Sequence, residues 1–544
     1  MKKIFFVAMA GLVSFACFLK APSEKQSTQR PKLVIGIVVD QMRADYIDKY
    51  WSKFSDGGFR RLVEKGFICR NAHYNYVPTY TGPGHASVYT GCTPSGHGIV
   101  GNNWYVRETG KYIYCADDPT VHTVGGTGAA GMMSPVNLMA NTIGDQLKLD
   151  SKDSKVIGIA LKDRGAILPA GHKANAAYWL DGTGNWITSS YYMTALPKWV
   201  EEFNKLGLTK MYNSKIWNTL LPIDQYTESI ADNNKYEGLF AGETAPVFPH
   251  DIPKVMSASG GPAIIRGTPW GNTLTKDFAI ETIKSENLGK GPAMDMLAVS
   301  FSSTDYVGHM YGPQSVEVED TYLRLDRDLE EFLKFIDMWF GKDEVMIFLT
   351  ADHGAVETPG YLVDKGKPGG YMNPQWLADT LRKDLFKTYG DSLVKAYINQ
   401  EVYLDQKVMD SKKWKSTDLY QHIDGFLKNI NGVESTVQLN AGPSDKPSDG
   451  VSGFAKNGYY EPRSGDVYVN YKEGWVEHEY TGTTHGSCYD YDTHVPLLWY
   501  GWHITPGSTD DKVVIPDIAA TLFSTLHITA SGEARGKPIM SITK

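Results

Sequence analysis

"KLVIGIVVD", residues 32–40, is the stretch on which the fold turns. Lys32 opens a near-continuous apolar run that closes on Asp40. Such a run fits a strand buried on both faces, as in a parallel sheet covered by helices. Four more stretches have the same form: "KVIGIALKDR" (155–164), "MDMLAVSFSSTD" (294–305), "EVMIFLTADHG" (344–354) and "HVPLLWYGW" (494–502). Helix-like segments at 46–66, 321–341 and 515–528 lie between or beyond them. Alternating strands and helices predict an α/β fold, a doubly wound, mostly parallel sheet flanked by helices. The Arg/Asp/Glu run of 321–341 reads as a solvated amphipathic face.

Two regions break the rhythm. Residues 171–290 are rich in Trp, Tyr, Gly, Pro and Asn, and read as a cap insertion. Residues 358–475 read as a small α+β insertion. The core is then expected from 32–170, 291–357 and 476–544. At the N-terminus two lysines precede the apolar run Ile4–Leu19, and a polar spacer follows. That pattern predicts a signal peptide over 1–21 and a linker over 22–31, hence a periplasmic or secreted protein. Ser14-Phe15-Ala16 is a poor lipobox, so lipidation of Cys17 and conventional cleavage both stay open, and membrane attachment is expected only with the lipid.

Composition narrows the chemistry. The chain of 544 residues has a formal charge of −8, which argues against nucleic-acid binding. An anionic substrate therefore requires local positive charge. Cys69, Cys92, Cys115 and Cys488 form no C-x-x-C pair, which excludes a cysteine zinc knuckle and leaves disulfides or buried thiols open.

In open α/β sheets ligands bind at the carboxyl ends of the strands. Here those ends carry Asp40, Lys162 and Arg164, Asp305, and Asp352-His353. Carboxylates converging on one sheet edge repel unless something positive neutralises them. His309 follows Asp305 by four residues, and His485 precedes the last core strand. Three carboxylates and three imidazoles suit two zinc ions at three protein ligands each, a device for in-line displacement at phosphorus. Thr81, in "VPTYTGPGHASVYTG" (77–91), sits at the predicted N-terminus of a short helix, where an anion is favoured. Thr79 competes with it as a nucleophile.

The ordered motifs "VVDQMRADY", "PTYTGPGHASVYTGCTPSGHGIVGN", "ALKDR", "SSTDYVGH", "TADHGA" and "TGTTHG" resemble the alkaline phosphatase superfamily. Within it the chain is similar to exported single-chain phosphatases near the nucleotide pyrophosphatase/phosphodiesterase branch. The resemblance implies that Asp40, Asp352 and His353 hold the zinc that activates Thr81, the nucleophile. It implies that Asp305, His309 and His485 hold the zinc facing the leaving group. It also implies that Asn102, Lys162 and Arg164 bind the phosphoryl oxygens, the last two marking monoester cleavage. The expected enzyme is a monomeric alkaline phosphatase working through a phosphothreonine, with small phosphate monoesters as substrates and inorganic phosphate as product inhibitor. Phosphodiesterase, nucleotide pyrophosphatase and phosphonate hydrolase chemistry on the same two metals is the alternative. A sulfatase reading of "CTPSG" (92–96) fails because Gly96 stands where that motif needs Arg. His85 and His97 are read as supports of the nucleophile loop.

Overall fold

The computed structural model describes residue 1 and residues 30–543, except 342, 441–449 and 479. The expected signal segment beyond Met1, its Cys17 and most of the linker lie outside the described residues. Ten strands form the central sheet: β1 (Leu33–Val39), β2 (Phe67–Cys69), β3 (Thr123–Val124), β4 (Val156–Ala160), β5 (Ala176–Leu180), β6 (Trp186–Ser189), β7 (Asp295–Phe301), β8 (Val345–Thr350), β9 (Leu497–Gly501) and β10 (Gly507–Thr509). Their spatial order is β10-β2-β9-β8-β1-β7-β4-β5-β6-β3.

The five strands β8-β1-β7-β4-β5 run parallel, and every residue of β1 is buried. This is why the apolar runs show no alternation: both faces are covered. The last of those runs, β9, joins antiparallel to β8. Register matters for function. Val38 of β1 stands opposite Ser300 of β7 and Thr350 of β8, so three neighbouring strands end level with one another. Whatever follows each strand must meet the others.

Helix α1 (Thr81–Thr90) is buried along its whole length and ends at Gly91, whose φ of +73° allows the chain to turn off the helix. It packs closely enough that two glycines are obligatory. A Cβ on Gly36 would stand 2.4 Å from the Tyr89 hydroxyl and 2.5 Å from the Phe348 ring. A Cβ on Gly84 would stand 2.3 Å from the Asp352 carbonyl. Helix and strand end are thus pressed together through their backbones.

Three expectations are corrected. Residues 171–290 contribute β5, β6 and helix α3 (Trp270–Ser285), which packs on the sheet, so the cap region is shorter than expected and the core claims its two ends. The segment 155–164 does not stay extended: β4 ends at Ala160 and helix α2 (Asp163–Ala170) begins directly after Lys162. Asp163 therefore takes a first-turn position, accepting from the Tyr114 hydroxyl and the Arg164 N–H.

The third correction concerns helix α5 (Val316–Phe340), which follows helix α4 (Ser303–Tyr311). Only part of the 321–341 run is solvated: Arg327, Glu331 and Lys334 are exposed, whereas Asp326 and Asp328 are buried, as are the carboxylates just before the run. Glu317, Glu319, Asp320 and Asp326 are fully buried. Each has partners distant in sequence: His250 for Glu317, Lys53 for Glu319, Trp217 and Tyr226 for Asp320. Asp326 accepts from the backbone N–H groups of Ser55 (2.6 Å) and Phe59 (2.8 Å). Buried charge is tolerated where it is paired.

Within 358–475, the strands Val394–Ile398, Glu401–Leu404, Val467–Tyr471 and Val433–Gln438 form a separate four-stranded antiparallel sheet, in that spatial order. Helices Pro374–Tyr389 and Ser416–Leu427 cover it with Leu377, Leu381, Leu385, Ile423 and Leu427. The four described cysteines are free thiols, three of them buried.

Asp326→Ala removes the acceptor of two buried N–H groups. It should destabilise the protein by about 2–6 kcal/mol, at about 1–3 kcal/mol for each strengthened bond to a charged acceptor. Arg327→Ala, one residue on and half exposed, should stay within about 0.5 kcal/mol. Denaturant midpoints of the two variants check this.

Candidate active site

The level ends of β8, β1, β7 and β4 bring the sequence candidates together. Asp40 directly follows β1, Asp352 and His353 follow β8, and Lys162 stands between β4 and α2. Asp305 and His309 share one face of α4, four residues apart. His485 arrives from a loop and stacks on His353 with ring centroids 3.4 Å apart and planes 11° apart. Asp40, Asp352 and His353 have no exposure at all, and Asp305, Lys162 and His485 are also buried.

Lys162 Nζ lies 2.6 Å from Asp40 Oδ2 and 2.6 Å from Asp305 Oδ2. Burial, followed by repulsion from Asp305 and Asp352, still pushes Asp40 well above the usual carboxylate range. Burial acts the same way on Asp305, but His309 and Lys162 outweigh it and hold that carboxyl well below the range. One lysine does not neutralise the site. Asp40 Oδ1 and Asp352 Oδ2 are buried without a hydrogen-bond partner.

The histidines have a common arrangement. His309, His353 and His485 each turn Nδ1 to a backbone carbonyl, those of Thr483 (2.7 Å), Gly354 (3.0 Å) and Thr79 (2.6 Å). That fixes Nδ1 as the protonated nitrogen and aims Nε2 at the carboxylates, the orientation usual for metal-ligating imidazole. The Nε2 atoms of His309 and His485 lie 3.2 and 3.8 Å from Asp305 Oδ1, and that of His353 lies 3.5 Å from Asp40 Oδ1. Two sets have donor atoms within 4.8 Å of one another: Asp305, His309 and His485, and Asp40, Asp305 and His353. Oxygen-plus-imidazole donors with two orphaned carboxylate oxygens fit divalent metal. The first set is the one read from sequence. In the second, Asp305 takes the place expected of Asp352. Asp352 stays beside it: its Oδ1 accepts the Gln41 N–H (3.1 Å), while its Oδ2 stands 3.2 Å from His85 Nδ1 and 3.5 Å from His353 Nε2.

Thr81 is the first residue of α1, with its Oγ1 3.4 Å from His353 Nε2 and 3.5 Å from Arg164 Nη2. Asn102 Oδ1 accepts from the Gly82 N–H at 2.8 Å, which leaves its amide nitrogen for a ligand. Thr79 is not equivalent to Thr81. Its hydroxyl donates to the Ser487 carbonyl, and its own carbonyl anchors His485. His85 bridges the Thr81 carbonyl (2.9 Å) and the Ser300 hydroxyl (2.8 Å). His97 bonds Ser87 and the Ile99 N–H.

Several supporting residues escaped the sequence reading. Gln41 ties the Asp352 carboxylate through its N–H and Asp305 through its amide (2.9 Å). The Tyr114 hydroxyl meets Arg164 Nη1 at 3.1 Å and so orients the guanidinium. A cavity of about 250 Å³ opens beside Lys162 and Arg164, lined also by Trp179, Arg266 and Tyr306. Gln41, with φ of +62° immediately after a strand-end Asp, carried the one local signal, and that signal is invisible in sequence.

The family model for type I phosphodiesterase / nucleotide pyrophosphatase matches residues 34–495. The chain is 43% identical over 518 residues to alkaline phosphatase PafA of Elizabethkingia meningoseptica, covering 94% of each. It is 42% identical over 524 residues to alkaline phosphatase PhoV of Synechococcus elongatus, covering 95% of this chain and 94% of that one. A Myroides odoratus protein named calcium-transporting ATPase is 44% identical over 536 residues, covering 97% and 98%. The crystal structure of wild-type PafA superposes with a TM-score of 0.90 at 42% identity, over 95% of this chain and 99% of that one.

Asp305→Ala removes the carboxylate common to both donor sets, whereas His309→Ala removes a donor of one. Elemental analysis of purified protein should find more metal lost from Asp305→Ala than from His309→Ala. Equal losses would mean that Asp305 serves a single ion.

Proposed function

The chain belongs to the type I phosphodiesterase / nucleotide pyrophosphatase family, and on that footing we propose that it is a metal-dependent phosphatase that hydrolyses phosphate monoesters through Thr81. The observation that carries the reading is the pair of cations at the nucleophile. Arg164 Nη2 lies 3.5 Å from Thr81 Oγ1, and Lys162 stands on the carboxylates beside it. A monoester dianion presents nonbridging oxygens to both cations. A diester puts a second substituent there. The names of PafA and PhoV agree with this reading. So does the ATPase name of the Myroides protein, because the γ-phosphoryl group of ATP ends in the same terminal oxygens.

Two zinc ions held by Asp40, Asp352 and His353, and by Asp305, His309 and His485, would supply Lewis acidity for the threonine hydroxyl and positive charge for the departing oxygen. Asp305 is near enough to share in both. The residues do the rest. Thr81 Oγ1, at the N-terminus of α1, attacks phosphorus as the ester oxygen leaves on the opposite side. Arg164 and the Asn102 amide donate to the nonbridging oxygens, where charge is held in the transition state. His85 keeps the Thr81 backbone in place. Water then attacks the phosphothreonine from the side the alcohol has left, which releases phosphate and restores Thr81. Inorganic phosphate fits the same donors and inhibits as product. The N-terminal pattern supports export to the periplasm or beyond. Among the described residues no helix is long and apolar enough to cross a membrane.

The family description keeps diester cleavage as the second reading. Purified protein is to be assayed on p-nitrophenyl phosphate, its bis-ester and p-nitrophenyl sulfate, with chelation and zinc add-back. The monoester should be favoured by orders of magnitude and only with metal. Lys162→Ala with Arg164→Ala should lower monoester kcat/KM by roughly 10²–10³-fold and leave diester cleavage far less changed. Thr81→Ala should abolish both. Diester preference in the unaltered protein would overturn the monoester assignment.

A further inference from the structure

The inserted α+β layer reaches the nucleophile through one hairpin tip. Strands Val394–Ile398 and Glu401–Leu404 pair with Ile398 opposite Glu401, so Asn399 and Gln400 form a two-residue loop. Both have positive φ, 58° and 60°, as a type I′ turn requires. Asn tolerates that conformation. Gln does not do so readily, and Gly is the usual second residue. A hairpin tip is ordinarily solvated, yet these two side chains are 7% and 6% exposed. Strain at a buried tip calls for something that holds it there.

What holds it is the catalytic edge. Asn399 Nδ2 donates to the Asn103 carbonyl at 2.8 Å, the peptide immediately after Asn102. The fit is tight, since a Cβ on Gly101 would stand 2.4 Å from that same nitrogen. The Gln400 side chain stands against the hydroxyl of Tyr80, the residue immediately before Thr81. Gln400 is itself fixed to the inserted sheet, by the Tyr468 hydroxyl (3.4 Å) and by its carbonyl on the Val469 N–H (2.7 Å). Tyr80 in turn lies edge-on to His485 at 5.4 Å. Asn102 and the Gly82 N–H are already bonded. The tip therefore braces both ends of a short bridge, Tyr80-Thr81-Gly82 on one side and Asn102-Asn103 on the other.

We propose that Asn399 and Gln400 are positioning residues that clamp the nucleophile against the phosphate-binding amide, so that the inserted layer completes the active site. The proposal rests on the roles given above to Thr81 and Asn102. Neither clamp residue touches the reacting atoms. A shift of about 1 Å in such a constellation is enough to lose one to two orders of magnitude in rate.

The test uses glycine, which accepts positive φ and removes only the side-chain contact. In the full-length, metal-loaded enzyme, Asn399→Gly and Gln400→Gly should each lower kcat/KM for p-nitrophenyl phosphate about tenfold with bound metal unchanged. Gln400→Gly should keep or raise the melting temperature, because it relieves the strained φ. A purely structural turn predicts the same stability with full activity. In an Asn102→Ala background, Asn399→Gly should add less than about twofold, since coupled residues are not additive. Full activity in both glycine variants, or activity lost only together with stability or metal, overturns the clamp. If Asn102→Ala alone keeps full activity, the phosphate-binding reading fails and takes the clamp with it. If Asn102→Ala is impaired and Asn399→Gly is not, the clamp alone is wrong.

Discussion

Buried carboxylates at the ends of adjacent parallel strands are the constraint that organises this molecule. Level register places Asp40 beside Asp305 of α4 and Asp352 after β8, all three buried. Repulsion among them is severe in such a medium, and with the larger effect of burial it holds Asp40 above the usual carboxylate range. The fold answers with Lys162 between Asp40 and Asp305, and with three imidazoles turned inward by backbone carbonyls. Two carboxylate oxygens still lack partners. The folded chain thus holds a deficit of positive charge where a divalent ion and a phosphate chemistry belong.

That deficit requires rigidity around it, and the surrounding structure provides it in layers. Helix α1 is seated by Gly36 and Gly84, where any side chain would collide with Tyr89, Phe348 or the Asp352 backbone. Gln41 secures two of the carboxylates, and His85 joins the start of α1 to β7 through Ser300. Helix α5 carries its own buried carboxylates, each satisfied by a partner from the 46–66 or 171–290 segments. Those bonds are costly to leave unmade, and so they fix how the cap region lies on the core.

What was legible in the sequence had a local signature. Continuous apolar runs declare buried strands, and charged residues at their ends declare a site, because both follow from the chain's own periodicity. The Asp305/His309 spacing is helical and reads directly. In the run 321–341 Asp326 looks solvated because Ser55 and Phe59, which satisfy it, lie 271 and 267 residues away, and Glu317, Glu319 and Asp320 just before the run likewise meet remote partners in His250, Lys53 and Trp217. The strands 176–180 and 186–189 are hidden by aromatic, glycine-rich surroundings, although they pair with each other and the first pairs with 156–160 close by. Gln41, Tyr114 and the Asn399–Gln400 tip act through contacts or backbone angles that no spacing encodes. Which of Asp305 and Asp352 joins Asp40 and His353 is a matter of ångströms, since His353 Nε2 lies 3.5 Å from both Asp40 and Asp352.

Lys162 shows how one residue serves both fold and chemistry. An ammonium has three N–H donors. Two are taken by Asp40 and Asp305 at 2.6 Å, and in the proposed reaction the third would meet a phosphoryl oxygen. Arg164 is arranged the same way, with one arm on the Tyr114 hydroxyl, another toward Thr81, and a buried Nε without a partner. Both cations are held by groups that orient them without saturating them. A surface lysine would lose rotamer entropy on each binding event, whereas these two have already lost it in folding. The negative charge that threatens the fold is therefore what preorganises the positive charge for substrate.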